Sequence, residues 1–516
     1  MISDKRHSLS KPEYIGWSAL FFVISIIGVL HHELWLDEAH HWLLARDSNS
    51  LVDLIGNTRQ EGHPILWNML LYGITIFTSN PIWMQVFHVI LSSAAVYLFF
   101  KNTPFNLLFK LLFVFGYYML FEYTMLSRNY SIGLLFLFIA CSYYSSRHTK
   151  PLPYFIALAL LSNTQAMFLV ISGGLALIWL VEHWQKHRFK PHKKALLAIT
   201  ILGIGVLLAL VQIIPPENNA LLISSSKIPF TERISKTLIG FFKGIVQLPD
   251  YRSSHFWNTS LFINLSKPLS GVLGIASLFI PLVLFAKNKL SLLFVYSTMF
   301  VTFILLYITQ LSAARYHGIF VVILIVGFWI SFEHKKQANS VLPFLSDKIL
   351  TTVRKLLIIG IFGLHFTTGI TAYALDMAKP FTQAKNTLAF LQANELDHKV
   401  IATKACDGSA ISAYLERPVF FASSNAYGSY CIWGNPEEVI GRSEKEVLNA
   451  LKGVLVQEKE SIIFISYQAI FDTIPEWITK DNTIKIKFLQ SFEQSILNKG
   501  NYYIYEMELA PAVISL

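Results

Sequence analysis

An aspartate and a glutamate stand side by side at positions 37 and 38, in the run HHELWLDEAHHWLLARDS that follows the first long apolar stretch. Adjacent carboxylates can divide labour: one ionises and accepts a proton while its neighbour binds a metal or orients a substrate. Beside a bilayer such charges are costly, so the pair is a functional candidate by default. The structural alternative is an acidic first helical turn, which the helix dipole favours. His31, His32, His40, His41 and His63 resemble a metal cluster, but only Asp37 and His41, at i and i+4, share a helix face. Asp37-Glu38-Ala39-His40 spells a helicase box, yet the chain has no Gly-x4-Gly-Lys-Ser/Thr segment to cradle phosphates. His32-Glu33 opens like a zinc-protease motif, yet Leu36 stands where a second His is required.

Three later segments carry matching chemistry. Glu61-Gly62-His63-Pro64-Ile65-Leu66-Trp67 places Pro64 where the first turn of a membrane helix accepts it, with Glu61 and His63 at its mouth. Glu122-Tyr123-Thr124-Met125-Leu126-Ser127-Arg128-Asn129-Tyr130 lies between two apolar runs, and Arg315-Tyr316-His317 opens another. Arginine offers a rigid fork of donors that matches phosphate. Two arginines on the same side as the acidic pair suit a phosphate-bearing lipid substrate. The plainer reading is interfacial snorkelling with Tyr130 or Tyr316 as anchor.

The elements that must hold these residues are membrane helices. The 516 residues are 53% hydrophobic and only 14% charged, with 40 Phe and 11 Trp. Average soluble domains carry roughly 25% charged residues. The mean hydropathy of +0.48 agrees, and a polytopic membrane protein follows. Composition speaks against a soluble enzyme, a disordered chain and a nucleic-acid partner for the net charge of +10. Three cysteines exclude a disulfide scaffold or a multi-cysteine metal cluster.

Basic residues fall in patches: Lys5–Lys11, Arg147–Lys150, Lys186–Lys194, Lys287–Lys289 and Lys335–Lys355. Basic loops stay in the cytoplasm, so the N-terminus is expected inside and the chain exits outside near Asp376. The first helix has no cleavage site after it and is read as retained. Helices are expected near 15–30, 130–146, 152–163, 165–183, 195–214, 270–286, 290–310, 315–332 and 356–375. Between 64 and 121 three apolar runs, at about 64–79, 82–100 and 105–121, give an even total, whereas inside-to-outside passage needs an odd one. One run must therefore be re-entrant or merged with a neighbour, for about 11–13 helices in all. Two outer loops, about 31–63 and 215–268, carry apolar residues at near-helical spacing. Leu43, Leu44, Leu51, Leu54 and Ile55 mark the first; Leu222, Ile228, Phe230, Leu238, Phe241 and Phe242, with Lys227, Arg233, Lys236 and Lys243, mark the second. Both patterns predict amphipathic helices on the membrane surface.

Residues 376–516 have the composition of a soluble domain. Strand-like runs at 399–403, 418–422, 461–467, 484–492 and 501–508 alternate with helix-like stretches at 380–394, 408–416 and 436–456, an α/β pattern. Cys406 and Cys431 would face an oxidising compartment, paired or as two buried thiols.

Taken together, Asp37-Glu38 after the first helix, Gly62-His63-Pro64 opening the next, Arg128-x-Tyr130 and Arg315-Tyr316 resemble the GT-C membrane glycosyltransferases. The nearest group is the family 39-like one, with protein O-mannosyltransferases and the aminoarabinose and galacturonic acid transferases of bacterial lipopolysaccharide. The resemblance covers roughly residues 10–375. It implies an all-α polytopic GT-C domain (1–375) with amphipathic outer-loop helices, and a small extracytoplasmic α/β domain (376–516). It implies a polyprenyl-phosphate-linked sugar donor, an outer-face reaction that inverts the anomeric carbon, and an acceptor hydroxyl on a glycolipid, polysaccharide or protein. Asp37 matches the catalytic carboxylate and Glu38 its acidic neighbour. Arg128, Tyr130, Arg315 and Tyr316 would hold the donor phosphate. Some GT-C enzymes use a divalent metal instead, which leaves His41, Glu61, His63 and Glu122 as a metal-holding or orienting set. Two departures stand out: Leu126 occupies the place of a frequent Glu two residues before the arginine, and Ile65 that of a second proline. The expected location is a bacterial inner membrane. The rival readings are a transporter or flippase of envelope lipids and an outer-face sensor. A transporter would carry its charges near the midplane, in two repeated halves; here they gather at one rim.

Overall fold

The structure is a computed structural model and describes residues 8–187, 193–214, 216, 219, 228–334, 340–434, 443–470, 477–478 and 483–510. In chain order the helical part runs α1 (Lys11–His31), α2 (Leu36–Arg46), α3 (Leu51–Asn57), α4 (Leu66–Thr75), α5 (Ile82–Asn102), α6 (Leu107–Val114), a π-helix (Tyr117–Met125), α7 (Tyr130–Ser142), α8 (Pro151–Ser162), α9 (Ala166–His187) and α10 (Lys193–Ile213). It continues with α11 (Phe230–Ile245), α12 (Leu261–Leu265), α13 (Lys267–Ser277), α14 (Ile280–Leu284), α15 (Lys289–Thr309), α16 (Ala314–His317), α17 (Ile319–Glu333) and α18 (Asp347–Ala378).

Among the described residues, eight segments are long and apolar enough to cross a membrane. Counting the pair α6 and π-helix, bent by 41°, as one span gives nine, and α7 and α8 are shorter apolar helices. In the run 64–79, helix α4 has 10 residues, about 15 Å at 1.5 Å per residue, half of what a bilayer core needs.

The bend between α6 and the π-helix is where α18 comes closest. A Cβ on Gly369 would lie 2.6 Å from the backbone of Gly116 and Tyr117. Gly369→Ala is therefore expected to destabilise the bundle by about 1–3 kcal/mol, the usual range for overpacking, seen as a lower melting temperature of the purified protein. Gly369→Leu should leave no folded protein to purify.

The amphipathic helices are present, though not all lie on the membrane. In α3, Leu51 and Ile55 are exposed as expected, but in α2 Leu43 and Leu44 are fully buried. The C-terminal domain covers α2, which is why it carries apolar residues on more than one face. In α11, Phe230 is exposed while Phe241 and Phe242 are buried; Leu222 and Lys227 lie outside the described residues.

That domain contains α19 (Ala384–Ala393), α20 (Ser409–Leu415) and α21 (Glu444–Glu458) around strands β1 (Ile401–Thr403), β2 (Val419–Phe421), β3 (Ala426–Gly428), β4 (Ile462–Ser466), β5 (Trp477–Ile478), β6 (Ile484–Phe492) and β7 (Tyr502–Leu509). The sheet order is β3-β2-β1-β4-β7-β6-β5. β1 pairs in parallel with β2 and β4, and the other pairings are antiparallel. All five expected strands form; β3 and β5 are too short to show a pattern. Residues 436–442 of the third expected helix lie outside the described residues, and α21 begins after a Ser443–Glu446 capping box. One sheet face packs on α21 through Phe420, Leu451 and Leu455. The opposite face joins Ile411, Ile463 and Ile504 to Leu34, Trp42, Leu43 and Trp67 in one cluster. Cys406 and Cys431 form a disulfide at its rim.

Candidate active site

Helix α1 ends at His31, residues 32–35 are extended, and α2 starts at Leu36, so Asp37 and Glu38 occupy its first turn. Successive residues on an α-helix point about 100° apart, and the two carboxylates part company accordingly. Asp37 turns toward the two arginines. Its Oδ2 lies 2.7 Å from Arg128 Nη1 and 2.7 Å from Arg315 Nη2. Asp37 keeps 18% of its side chain accessible against 5% for Arg128 and 9% for Arg315, so the carboxylate faces outward from a buried cationic floor.

Each arginine is held from behind. Arg128 sits where the π-helix gives way to α7, its backbone amide 3.2 Å from the ring of His88 on α5. Arg315 lies on α16, whose first amide donates to Asn258 Oδ1 at 2.7 Å, while Tyr123 donates to the Arg315 carbonyl at 2.9 Å. The Arg315 guanidinium stacks between Trp35 and Tyr316, 5.1 and 4.7 Å from the ring centres. Arg315 Nε and Nη1, Arg128 Nε and the Tyr130 hydroxyl are buried without a hydrogen-bond partner. Buried donors of this kind are normally satisfied, so the site keeps spare donors close to Asp37.

Burial alone would push the Asp37 carboxyl up, but Arg128 and Arg315 outweigh it. The result lies below the ordinary aspartate range.

Glu38 points the other way and is fully buried. Its Oε1 accepts the Ser127 amide at 2.6 Å, next to Arg128, and its Oε2 lies 3.1 Å from His32 Nε2. His32 Nδ1 in turn is 2.8 Å from Asp376 Oδ2 at the end of α18. One buried imidazole thus joins α18, α2 and the Arg128 turn. Burial opposes its charge, but Asp376 and Glu38 outweigh burial and push its pKa up to about 10. A pKa raised in the fold stabilises below the unfolded value, near 6.5, and that contribution is lost as pH rises through about 10. Melting temperature should therefore fall between about pH 6.5 and 10 in the wild type, and less steeply in His32→Gln; equal slopes would contradict the assignment.

The remaining expected residues scatter around this centre. Glu61 Oε1 is 2.8 Å from His40 Nε2, and His41 Nδ1 is 3.1 Å from Asn68 Oδ1. His63 follows Gly62, whose φ of +64° only glycine adopts easily. Burial, with Arg128 and Arg315 nearby, drives the His63 imidazole down to about 3. Glu122, on the π-helix, accepts from Trp257 Nε1 at 3.2 Å, and its Oε1 has no partner. Tyr130 stacks on Tyr123 with ring centres 4.9 Å apart, and Tyr316 receives Arg315 Nη2 at 3.4 Å. Among the described residues no three of His, Cys, Asp or Glu converge as metal ligands. The donor set around Asp37 is cationic and fits an anion rather than a divalent ion.

His32, Asp376, His40, Trp35 and Asn258 carry the site and were not singled out for these roles in the sequence. Only Asp376 had a signal, a lone carboxylate closing a long apolar helix.

No protein-family model matches the chain, and no curated protein matches it. Among solved structures it is similar to a crystal structure of ArnT from Cupriavidus metallidurans bound to undecaprenyl phosphate. The TM-score is 0.51 with 9% sequence identity, over 96% of this chain and 98% of that one. At that identity the likeness is one of fold: the chain is an integral membrane protein with the GT-C fold.

Proposed function

We propose that the protein is a membrane glycosyltransferase that moves a sugar from a polyprenyl-phosphate donor to an acceptor hydroxyl on the outer face of a bacterial inner membrane. The observation that carries this reading is the single Asp37 oxygen held 2.7 Å from both Arg128 and Arg315. It puts a base and a phosphate cradle within one side chain's reach. The ArnT crystal structure, with its undecaprenyl phosphate, supports the donor class.

The chemistry is one displacement. The acceptor oxygen attacks the anomeric carbon while its proton passes to Asp37. The bond from that carbon to the phosphate oxygen breaks, and its electron pair leaves with the phosphate. Attack opposite the leaving group inverts the centre. Arg128 and Arg315 stabilise the charge that develops on the phosphate. They also set the timing. While both are committed to Asp37 its proton affinity is low, and a phosphate that draws their donors away restores it to a useful base. Glu38 holds α2 and the Arg128 turn together and touches no substrate. No step needs a metal.

A groove of about 410 Å³ between α11 and α15, lined by Leu238, Met299 and Phe303, offers a lipid tail an apolar surface. Charges gathered at one end of the bundle favour this enzyme over a transporter. Purified protein in nanodiscs should release undecaprenyl phosphate from an undecaprenyl-phosphate-linked sugar when given envelope acceptor. Uptake into vesicles without such release would support the transporter.

A further inference from the structure

The C-terminal domain reaches into the site through a loop that the Cys406–Cys431 disulfide closes. The Cys431 amide donates to His40 Nδ1 at 3.3 Å. An amide can only donate, so Nδ1 holds the lone pair and the ring hydrogen sits on Nε2. That nitrogen lies 2.8 Å from Glu61 Oε1. His40 is thereby fixed in one tautomer between the C-terminal domain and the Gly62-His63 turn. Rings of Tyr430 and Trp433 flank it at 5.9 and 5.7 Å. Ser429 donates to Asp47 just past α2, and Arg46 Nη1 reaches the Ser412 carbonyl on α20 at 3.3 Å. His40 and Cys431 are each 2% exposed.

His40 lies three residues after Asp37, on the same side of α2. That helix has 11 residues, below the roughly 12–15 that stand alone in water. Tertiary contacts therefore decide how α2 is rotated and where Asp37 points. We propose that His40 is a positioning residue and that the disulfide-closed loop is the clamp that aims Asp37 through it. Reduction would open the clamp: an added dithiol gives two electrons and two protons to the disulfide, leaves two cysteine thiols and is itself oxidised.

This inference rests on the transferase reading, and its test separates the two. Wild type, His40→Phe and the Cys406→Ser/Cys431→Ser double variant are compared in nanodiscs with and without dithiothreitol. Both variants, and reduced wild type, should show kcat lower by about ten- to a hundredfold, the usual effect of a small misplacement. Their Kd for undecaprenyl phosphate should weaken by no more than about twofold, because the arginines are untouched and a misaimed Asp37 competes less for them. His40→Asn, which offers an acceptor where Nδ1 sits, should recover part of kcat. Amide exchange over residues 39–45 should speed up on reduction in wild type and be insensitive to it in His40→Phe. Exchange needs no turnover, so it tests the clamp even if wild type transfers no sugar. A folded double-serine variant with wild-type kcat, or wild-type exchange unchanged by reduction, overturns the proposal.

Discussion

Asp37→Asn is expected to slow sugar transfer by about 10²–10⁴-fold, the usual contribution of a general base, while undecaprenyl phosphate binds at least as tightly as to wild type. The two halves come from one geometry. Asp37 is the anion that Arg128 and Arg315 already hold. Removing its charge takes away the proton acceptor and also the phosphate's competitor for the same donors. The variant keeps the helix start, since Glu38 is anchored independently by Ser127 and His32. It leaves two buried guanidiniums without a counter-ion, a costly state, so it should melt at a lower temperature. Undecaprenyl phosphate should raise that temperature more than it does in wild type. A purely structural Asp37, whose task is to orient the arginines, predicts the opposite: weaker phosphate binding and a smaller ligand-induced shift.

Arg128→Ala and Arg315→Ala should each lower kcat by about 10²–10³-fold, the range for losing one preorganised donor at a developing oxyanion, and should also weaken undecaprenyl phosphate binding. This second effect distinguishes them from Asp37→Asn. Arg315→Lys should recover little, because a lysine cannot keep the stack between Trp35 and Tyr316 while reaching Asp37. With one arginine gone, Asp37 is less strongly held as a carboxylate, so the acid limb of the rate profile should move to higher pH. Wild-type donor binding in both alanine variants would remove the phosphate role from the arginines.

Much of the site was readable because membrane proteins place charges where they are needed. Asp37, Arg128 and Arg315 all sit at ends of apolar runs on one predicted side, and the structure brings the three together. The role of Glu38 was also within reach: adjacent residues on a helix cannot face the same substrate. His32 was not, since a histidine beside a helix end is an ordinary polar residue until Asp376, at the far end of α18, arrives against it. The position of α2 departs from the expectation of a helix lying on the membrane because Leu43 joins the apolar cluster of the C-terminal sheet, a contact between segments hundreds of residues apart that periodicity cannot reveal.

The most direct measurement compares wild type and Asp37→Asn in nanodiscs, counting the undecaprenyl phosphate freed from its sugar-linked form and, in the same samples, titrating binding of undecaprenyl phosphate. Release by wild type alone, with equal or tighter binding by the variant, is the predicted result. Release by the variant at the wild-type rate, or loss of binding together with turnover, would contradict the assignment of Asp37 as the base that competes with the donor phosphate for Arg128 and Arg315.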